Sequence, residues 1–520
     1  MFNAFQTFGR MGGAASRPWS ERALWPLGAS SPGLWIDGPS YPAACWQDSA
    51  GTTALSTVGT VLDSSNPVGL ILDRKGGLVL GPELVAAPYS GIATGGFAIS
   101  ATSVTRDGVT AAGAVGVSTT SASGLVLVEF DVSGLSGDTF TMLKAGGNVG
   151  EITSNGHKRF RVIRPNPAEL RFVPWVGGAG SLTITNISVR EIPGLHLSQS
   201  TSAARPVASG RVNLLISTED LTNASAWPRS GGAATPNAST VTFGATGDYI
   251  YQTATGVTAN MPTASRLLLS GSGTITINFF DAGGAAETQL TLTGTPTWYT
   301  LTRTASGSAI DLSIQIIKRA GDTAASVTCG GIQMNLGPTA LPYQRVNTAS
   351  DYTAVPPTYL KFDGTDDALA SATVAAGVVG NSDMTCLMAV RRDSTANCVA
   401  GLYNSVADAT KFFGMCESGS GSTCVGSGAG TPTVWVDGVQ LTGGTAVTRA
   451  TLHTALTAGA WHILEFRGLD LSRWTACGFG VYTSYVLNGA LGGIELFAAS
   501  SASDRDKART KLAAKVGLTL

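Results

Sequence analysis

GLVLVEFDVSG (124–134) sets Leu125, Leu127, Glu129 and Asp131 on one side of the chain and Val126, Val128, Phe130 and Val132 on the other. A period of two sends successive side chains to opposite faces of an extended strand, and a face made only of valine and phenylalanine belongs in a core. The neighbouring runs FRVIRP (160–165), LRFVPW (170–175) and LTITNISVREI (182–192) read the same way, with Gly- and Asn-containing turns between them.

The pattern recurs downstream. A second block holds DYIYQTAT (248–255), RLLLSGSGTITINFFDAGG (266–284), TWYTLTRTAS (297–306), IDLSIQIIKRAGDT (310–323) and VTCGGIQMNLG (327–337). A third runs from YLKFDGTDDAL (359–369) through TPTVWVDGVQL (431–441) and WHILEFRGLDL (461–471) to GIELFAAS (493–500). Helical spacing shows only in DRDKARTKLAAKVG (504–517), where Ala508, Leu512 and Val516 line up, Ser503 or Asp504 can cap and Gly517 can stop the helix. The expected fold class is all-β: several β-sandwiches with a short C-terminal helix. Heptads and collagen-like repeats are missing, so no fibrous shaft is encoded.

At 520 residues the chain has room for two to four domains, and 43% hydrophobic residues can fill their cores. Only 13% of residues are charged, about half the usual share of roughly 25%, which suits a surface packed in an assembly. With a formal net charge of −1, nucleic-acid binding lacks its main driving force. The seven cysteines follow no CxxC spacing; buried reduced thiols are expected, with a Cys416–Cys424 bridge as the alternative, and reduced thiols fit assembly in a bacterial cytoplasm. No apolar run approaches the roughly 20 residues that span a bilayer. The N-terminus has no signal-peptide core, so neither membrane insertion nor export by the usual route is expected. Phe2, Phe5, Phe8, Trp19 and Trp25 suggest that residues 1–32 order against a partner rather than fray.

Three stretches carry a resemblance. RVNLLISTEDLTNASAWPRSGGAATPN (211–237) matches, through Asn213, Leu214, Leu215, Glu219, Asp220, Asn223 and Trp227, the opening of a jelly-roll module found in tailed-phage structural proteins. GGIQMNLGPTALPYQRV (330–346) is similar to that module's exit. YLKFDGTDDALASA (359–372) and the final GGIELFAASSASDRDKARTKLAAKVGLTL resemble the beginning and end of concanavalin A-like, laminin G-like sandwiches. GLWIDG… (33–77) looks like the segment that normally precedes such a sandwich, and its usual Ala-Arg-Pro continuation stands far downstream in GLHLSQSTSAARPVAS (194–209). The resemblance therefore implies a discontinuous sandwich built from 33–77, 194–212 and 357–520. Residues 78–193, which resemble a carbohydrate-binding-module jelly roll, and 213–356 would be inserted jelly rolls. The alternative is four beads in a row.

Chemistry is sparse. His157, His196, His453 and His462 fit no metal-ligand spacing, and no nucleophile elbow, P-loop or dinucleotide fingerprint stands in a credible context. His462 is expected in a core. Asp363, Asp366 and Asp367 are the candidate Ca²⁺ ligands, set against an ordinary Asp-Gly turn whose carboxylates satisfy backbone N–H groups. Trp175, Tyr249, Tyr251, Trp298 and Tyr299 are the candidate sugar platform, since an aromatic face can stack on a pyranose.

No catalytic residue, enzyme activity or cofactor is expected. The resemblance implies a virion structural protein, a tail fibre, spike or head-attached fibre, with its N-terminal segment docked on other virion proteins. Its modules would meet a host surface glycan, and a homotrimer is the expected oligomer. A capsid decoration (cement) protein and a polysaccharide depolymerase are the rival readings.

Overall fold

A computed structural model of the chain describes residues 24–25, 31–36, 45–49, 55, 67–75, 80–108, 113–120, 124–137, 139–144, 147–164, 169–174, 179–210, 212–308, 311–347, 359–441, 446–498, 500–518 and 520. It is an assembly of antiparallel β-sandwiches, as the alternation requires. Three main hydrophobic cores lie between facing sheets.

The largest core is closed by strands from distant parts of the chain. An eight-stranded sheet runs Val207–Ser209, Tyr359–Asp363, Asn488–Ala498, Met384–Arg392, Trp461–Leu469, Gly430–Val436 and Val439–Gln440, and Leu34–Ile36 also pairs with Asn488–Ala498. Facing it is a five-stranded sheet of Cys45–Trp46, Leu70–Ile71, Leu197–Ser198, Leu369–Ser371 and Gly478–Phe479. Leu34 lies opposite Leu496, Leu197 opposite Ser371, and Val207 opposite Lys361. Strands near residues 34–71 and 197–209 thus complete sheets whose remaining strands begin at residue 359.

Between these pieces, two stretches each form a two-sheet sandwich. In the first, Gly124–Ser136 pairs with Gly156–Arg164 on one side and Ser181–Glu191 on the other. Val126, Val128, Phe130 and Val132 enter its core. In the second, one sheet holds Tyr249–Thr255, Asp311–Ile317, Thr274–Asp281 and Gly284–Thr291. The other holds Ala233–Asn237, Thr240–Phe243, Ser326–Leu336, Pro262–Gly271 and Thr297–Thr304. Trp227 is fully buried here, and its indole N–H donates to the Ser217 carbonyl at 2.8 Å.

The two small sandwiches meet the large one differently. Leu125 and Leu127 of the first pack outward against Trp46, Leu70, Leu72 and Ile192, and the Arg161 guanidinium lies 3.9 Å from the Trp46 ring centre. The second touches the large sandwich through backbone: a Cβ on Gly337 (φ +94°) would stand 2.9 Å from the Gly459 carbonyl oxygen, and one on Gly459 (φ +79°) 2.8 Å from the Gly337 nitrogen. Only glycine fits both the left-handed conformation and so close an approach.

The C-terminal helix spans Ala502–Lys515 and buries Ala508, Leu512 and Ala513. Its cap is Ser501, two residues before Ser503: the Ser501 hydroxyl accepts from the Asp504 N–H at 3.1 Å and donates to the Asp504 carboxylate at 2.7 Å. A second helix, Arg449–Ala455, escapes the sequence pattern because its seven residues bury only Leu452. Among the described residues no helix is long and apolar enough to cross a membrane. Of residues 1–32, only 24–25 and 31–32 are described. Trp25 stacks on Trp35 with ring centres 5.3 Å apart, and its indole N–H donates to the Leu496 carbonyl at 3.0 Å.

Candidate functional site

The outward face of the Tyr249–Thr255 sheet gathers aromatic and amide side chains. Strand alternation decides its make-up. Ile250, Leu312, Ile314, Ile316, Ile277 and Phe279 point into the core, so Tyr249, Tyr251, Ser313, Gln315, Asn278 and Phe280 point away from it. Register then sets them side by side, with Tyr251 opposite Gln315, Gln315 opposite Asn278, and Ser313 opposite Phe280. Tyr249 and Tyr251 have ring centres 6.0 Å apart, and Tyr251 and Phe280 5.9 Å apart. The three rings make a tilted aromatic row.

Polar groups form the floor beside the row. Asn278 and Gln315 are only 5% and 7% exposed although they lie on an outer face. The Asn278 side-chain N–H donates to the Gln315 side-chain Oε1 at 2.9 Å, while the Asn278 Oδ1 is buried with no hydrogen-bond partner among the described residues. An orphaned amide atom costs about 1–3 kcal/mol when buried, so the Asn278–Gln315 pair is held at some cost in stability. At one end the Asp322 carboxylate accepts from the Thr276 hydroxyl at 2.9 Å and the Gln289 amide at 2.8 Å. Burial alone would raise the Asp322 carboxyl; hydrogen bonds from the Arg319 N–H, Gln289 and Thr276 outweigh it and hold the group below the usual carboxylate range.

The candidate platform residues do not make one site. Tyr249 and Tyr251 share the row. Trp298 lies on the edge strand of the opposite sheet, with the Arg266 guanidinium 4.7 Å from its ring centre and Tyr343 at 5.3 Å. Tyr299, next along that strand, packs against the module core, and its hydroxyl donates to the Thr291 carbonyl at 2.7 Å. Trp175 lies outside the described residues. Phe280, Asn278 and Gln315 went unread in the sequence. The alternation of TITINFFD places Phe280 on the face of Asn278, but only the pairing with distant strands brings both to Tyr251.

Asp363, Asp366 and Asp367 come together, with carboxylate oxygens within 4.8 Å of one another. Two of them also serve the turn: Asp367 accepts from the Asp363 N–H at 2.8 Å and Asp363 from the Thr365 N–H at 2.7 Å. Burial, with the charges of Asp363 and Asp366, pushes the Asp367 carboxyl up to about 6. A cation would relieve that repulsion with hard oxygen ligands.

The histidines are structural in placement. His462 is 9% exposed, its Nδ1 2.7 Å from the Asp437 carboxylate. His157 stands in the strand Gly156–Arg164, its Nδ1 2.9 Å from Asp131. His196 Nδ1 accepts from the Asp73 N–H at 3.0 Å. All seven cysteines are buried. The residue opposite Cys416 in the strand pairing is Cys398.

Neither a family model nor any curated protein matches the chain. Among solved structures, the enzymatically active domain of bacteriophage CBA120 tailspike protein 4 is 15% identical with a TM-score of 0.20, over 25% of this chain and 22% of that one. The tandem CBM22 domains of Paenibacillus barcinonensis Xyn10C are 11% identical with a TM-score of 0.20, over 50% of this chain and 98% of theirs. The cycloalternan-forming enzyme of Listeria monocytogenes is 11% identical with a TM-score of 0.17, over 45% of this chain and 20% of that one. Likeness at this level carries no argument about function.

Proposed function

We propose that the chain is a structural protein of a bacteriophage particle, a tail fibre, spike or head-attached fibre, that presents lectin-like modules to a host surface glycan. The observation that carries the binding half is the row Tyr249–Tyr251–Phe280 beside the hydrogen-bonded amides of Asn278 and Gln315. Aromatic rings offer a sugar its stacking surface, and amides fixed in place offer its hydroxyls oriented partners. The virion half rests on the NLLISTED…NASAW and FDGTDD resemblances and on the low charge of the chain. Binding proceeds without turnover, and a trimer on a many-copied particle would raise weak single contacts to useful avidity.

The test combines location and recognition. Antibody against residues 213–345 should label tails or projecting fibres of intact particles, and the purified chain should be retarded in gels containing host polysaccharide. Label spread over the capsid lattice, with no retardation, would replace this reading with that of a cement protein. Release of reducing ends from the polysaccharide would make it a depolymerase.

A further inference from the structure

A cavity of about 200 Å³ lies where the second small sandwich meets the large one. Its walls are of two kinds. Leu214, Leu336 and Leu341 come from the small sandwich and are apolar; Lys361, Arg391 and Asp393 come from the large one and are ionic. The Asp393 carboxylate accepts from Arg391 Nε at 2.6 Å, from Arg391 Nη2 at 3.0 Å and from Lys361 Nζ at 2.6 Å. Burial alone would raise the Asp393 carboxyl, but the two cations outweigh it and hold the group down at about 2. Asp393 therefore stays charged and neutralises one of its two partners.

Within the cavity lining one positive charge is left over, and Lys361 also lies in the field of Asp367 outside the cavity. The Arg391 side chain is 8% exposed and that of Asp393 5%, whereas Lys361 is 27% exposed and stands between the buried pair and solvent. Apart from Asp393, the cavity lining holds no acidic group; Asn335 and Asn488 are neutral amides. Tyr359 completes the floor, with the Arg391 guanidinium 5.1 Å from its ring centre. An ammonium with a donor to spare at a partly dry site attracts an anion more strongly than the same group on open surface. The lysine ammonium donates to Asp393 and Asn488, and its third N–H is the donor left to receive that anion.

We infer that this seam is a second binding site, one that takes the carboxylate of a compact organic acid, with the carboxylate on Lys361 and the carbon skeleton against Leu214, Leu336 and Leu341. The volume admits a body about the size of a single uronic-acid ring. The site is separate from the aromatic row and does not rest on the attachment reading.

Sodium glucuronate and glucose, at equal ionic strength, would be titrated into the full-length chain by calorimetry. Saturable binding of glucuronate and none of glucose is expected. Lys361→Met should weaken glucuronate binding at least about tenfold, as loss of a charge-assisted bond implies, and Lys361→Arg should largely restore it. Leu341→Trp, which fills the cavity and leaves every charge in place, should abolish binding as well. Equal responses to glucuronate and glucose, or unchanged binding in Leu341→Trp, would overturn the inference. Tyr251→Ala keeps the two proposals apart: it should leave glucuronate binding intact while host polysaccharide is lost.

Discussion

The outer faces of the two small sandwiches make an instructive pair. In the first, the outward side of Gly124–Ser136 begins with Leu125 and Leu127, buried against Trp46, Leu70 and Leu72. It ends with Glu129 and Asp131, which are paired to Arg159 at 3.1 Å and His157 at 2.9 Å. In the second, the outward side of Tyr249–Thr255 carries half-buried tyrosines beside amides. Aliphatic side chains have nothing to offer water and close a seam; tyrosine, asparagine and glutamine tolerate a wet face and can still grip a ligand. The second sandwich joins the large one at its end, where Gly337 meets Gly459 and Ala458 enters its core.

The comparison breaks most severely if the closed face is given a charge. Leu125→Asp would bury a carboxylate among Trp46, Leu70, Leu72 and Ile192, and a loss of about 4 kcal/mol is expected in urea unfolding, with early proteolysis between the first sandwich and the large one. Gly459→Ala attacks the other junction. The left-handed backbone and the clash with Gly337 should together cost about 2 kcal/mol and release the second sandwich without unfolding its core. Both results would fail to appear if the sandwiches were independent beads.

Asp367→Asn touches neither face and should stabilise. The folded carboxyl at about 6 lies above its unfolded value of about 4. Its favourable contribution is therefore present below about pH 4 and lost as pH rises through 6. The variant should exceed the wild type at pH 7 by about 1 kcal/mol after solvent screening and match it at pH 4, as thermal melts at both values would show. Calcium that raises the melting temperature of the wild type but not of the variant would make the acidic cluster a metal site. The smallest stability change belongs to the open face. Tyr251→Ala should stay within about 0.5 kcal/mol of the wild type and yet lose polysaccharide retardation at least about tenfold. A large loss of stability there would mean that the face is a seam after all.

Much of the strand content was legible, because alternation such as that of Val126, Val128, Phe130 and Val132 reports burial directly. So was the apolar stripe Ala508, Leu512 and Val516 of the last helix. The cap was misread by two residues because Ser501, Ser503 and Asp504 are all chemically fit for it, and only the path of the chain out of the preceding strand selects one. The short helix at Arg449–Ala455 left no stripe to read. Tyr249 and Tyr251 were visible as neighbours in one strand. Trp298 and Tyr299 are consecutive in one strand, so alternation alone sends them to opposite faces; that this strand is the edge of the sheet opposite Tyr251 follows from pairing that no local pattern encodes.

By itself the sequence determined the class of structure, the long strands, the reduced and scattered chemistry and the low charge. These are properties of residue type and spacing, which act within a few residues. The tertiary structure alone decided that Leu34–Ile36 pairs with Asn488–Ala498, that Phe280 and Asn278 join Tyr251, and that Lys361 and Arg391 share one carboxylate at a seam. Those contacts join residues tens to hundreds of positions apart. Their energies depend on which sheets close over which cores, a choice made by the whole chain at once.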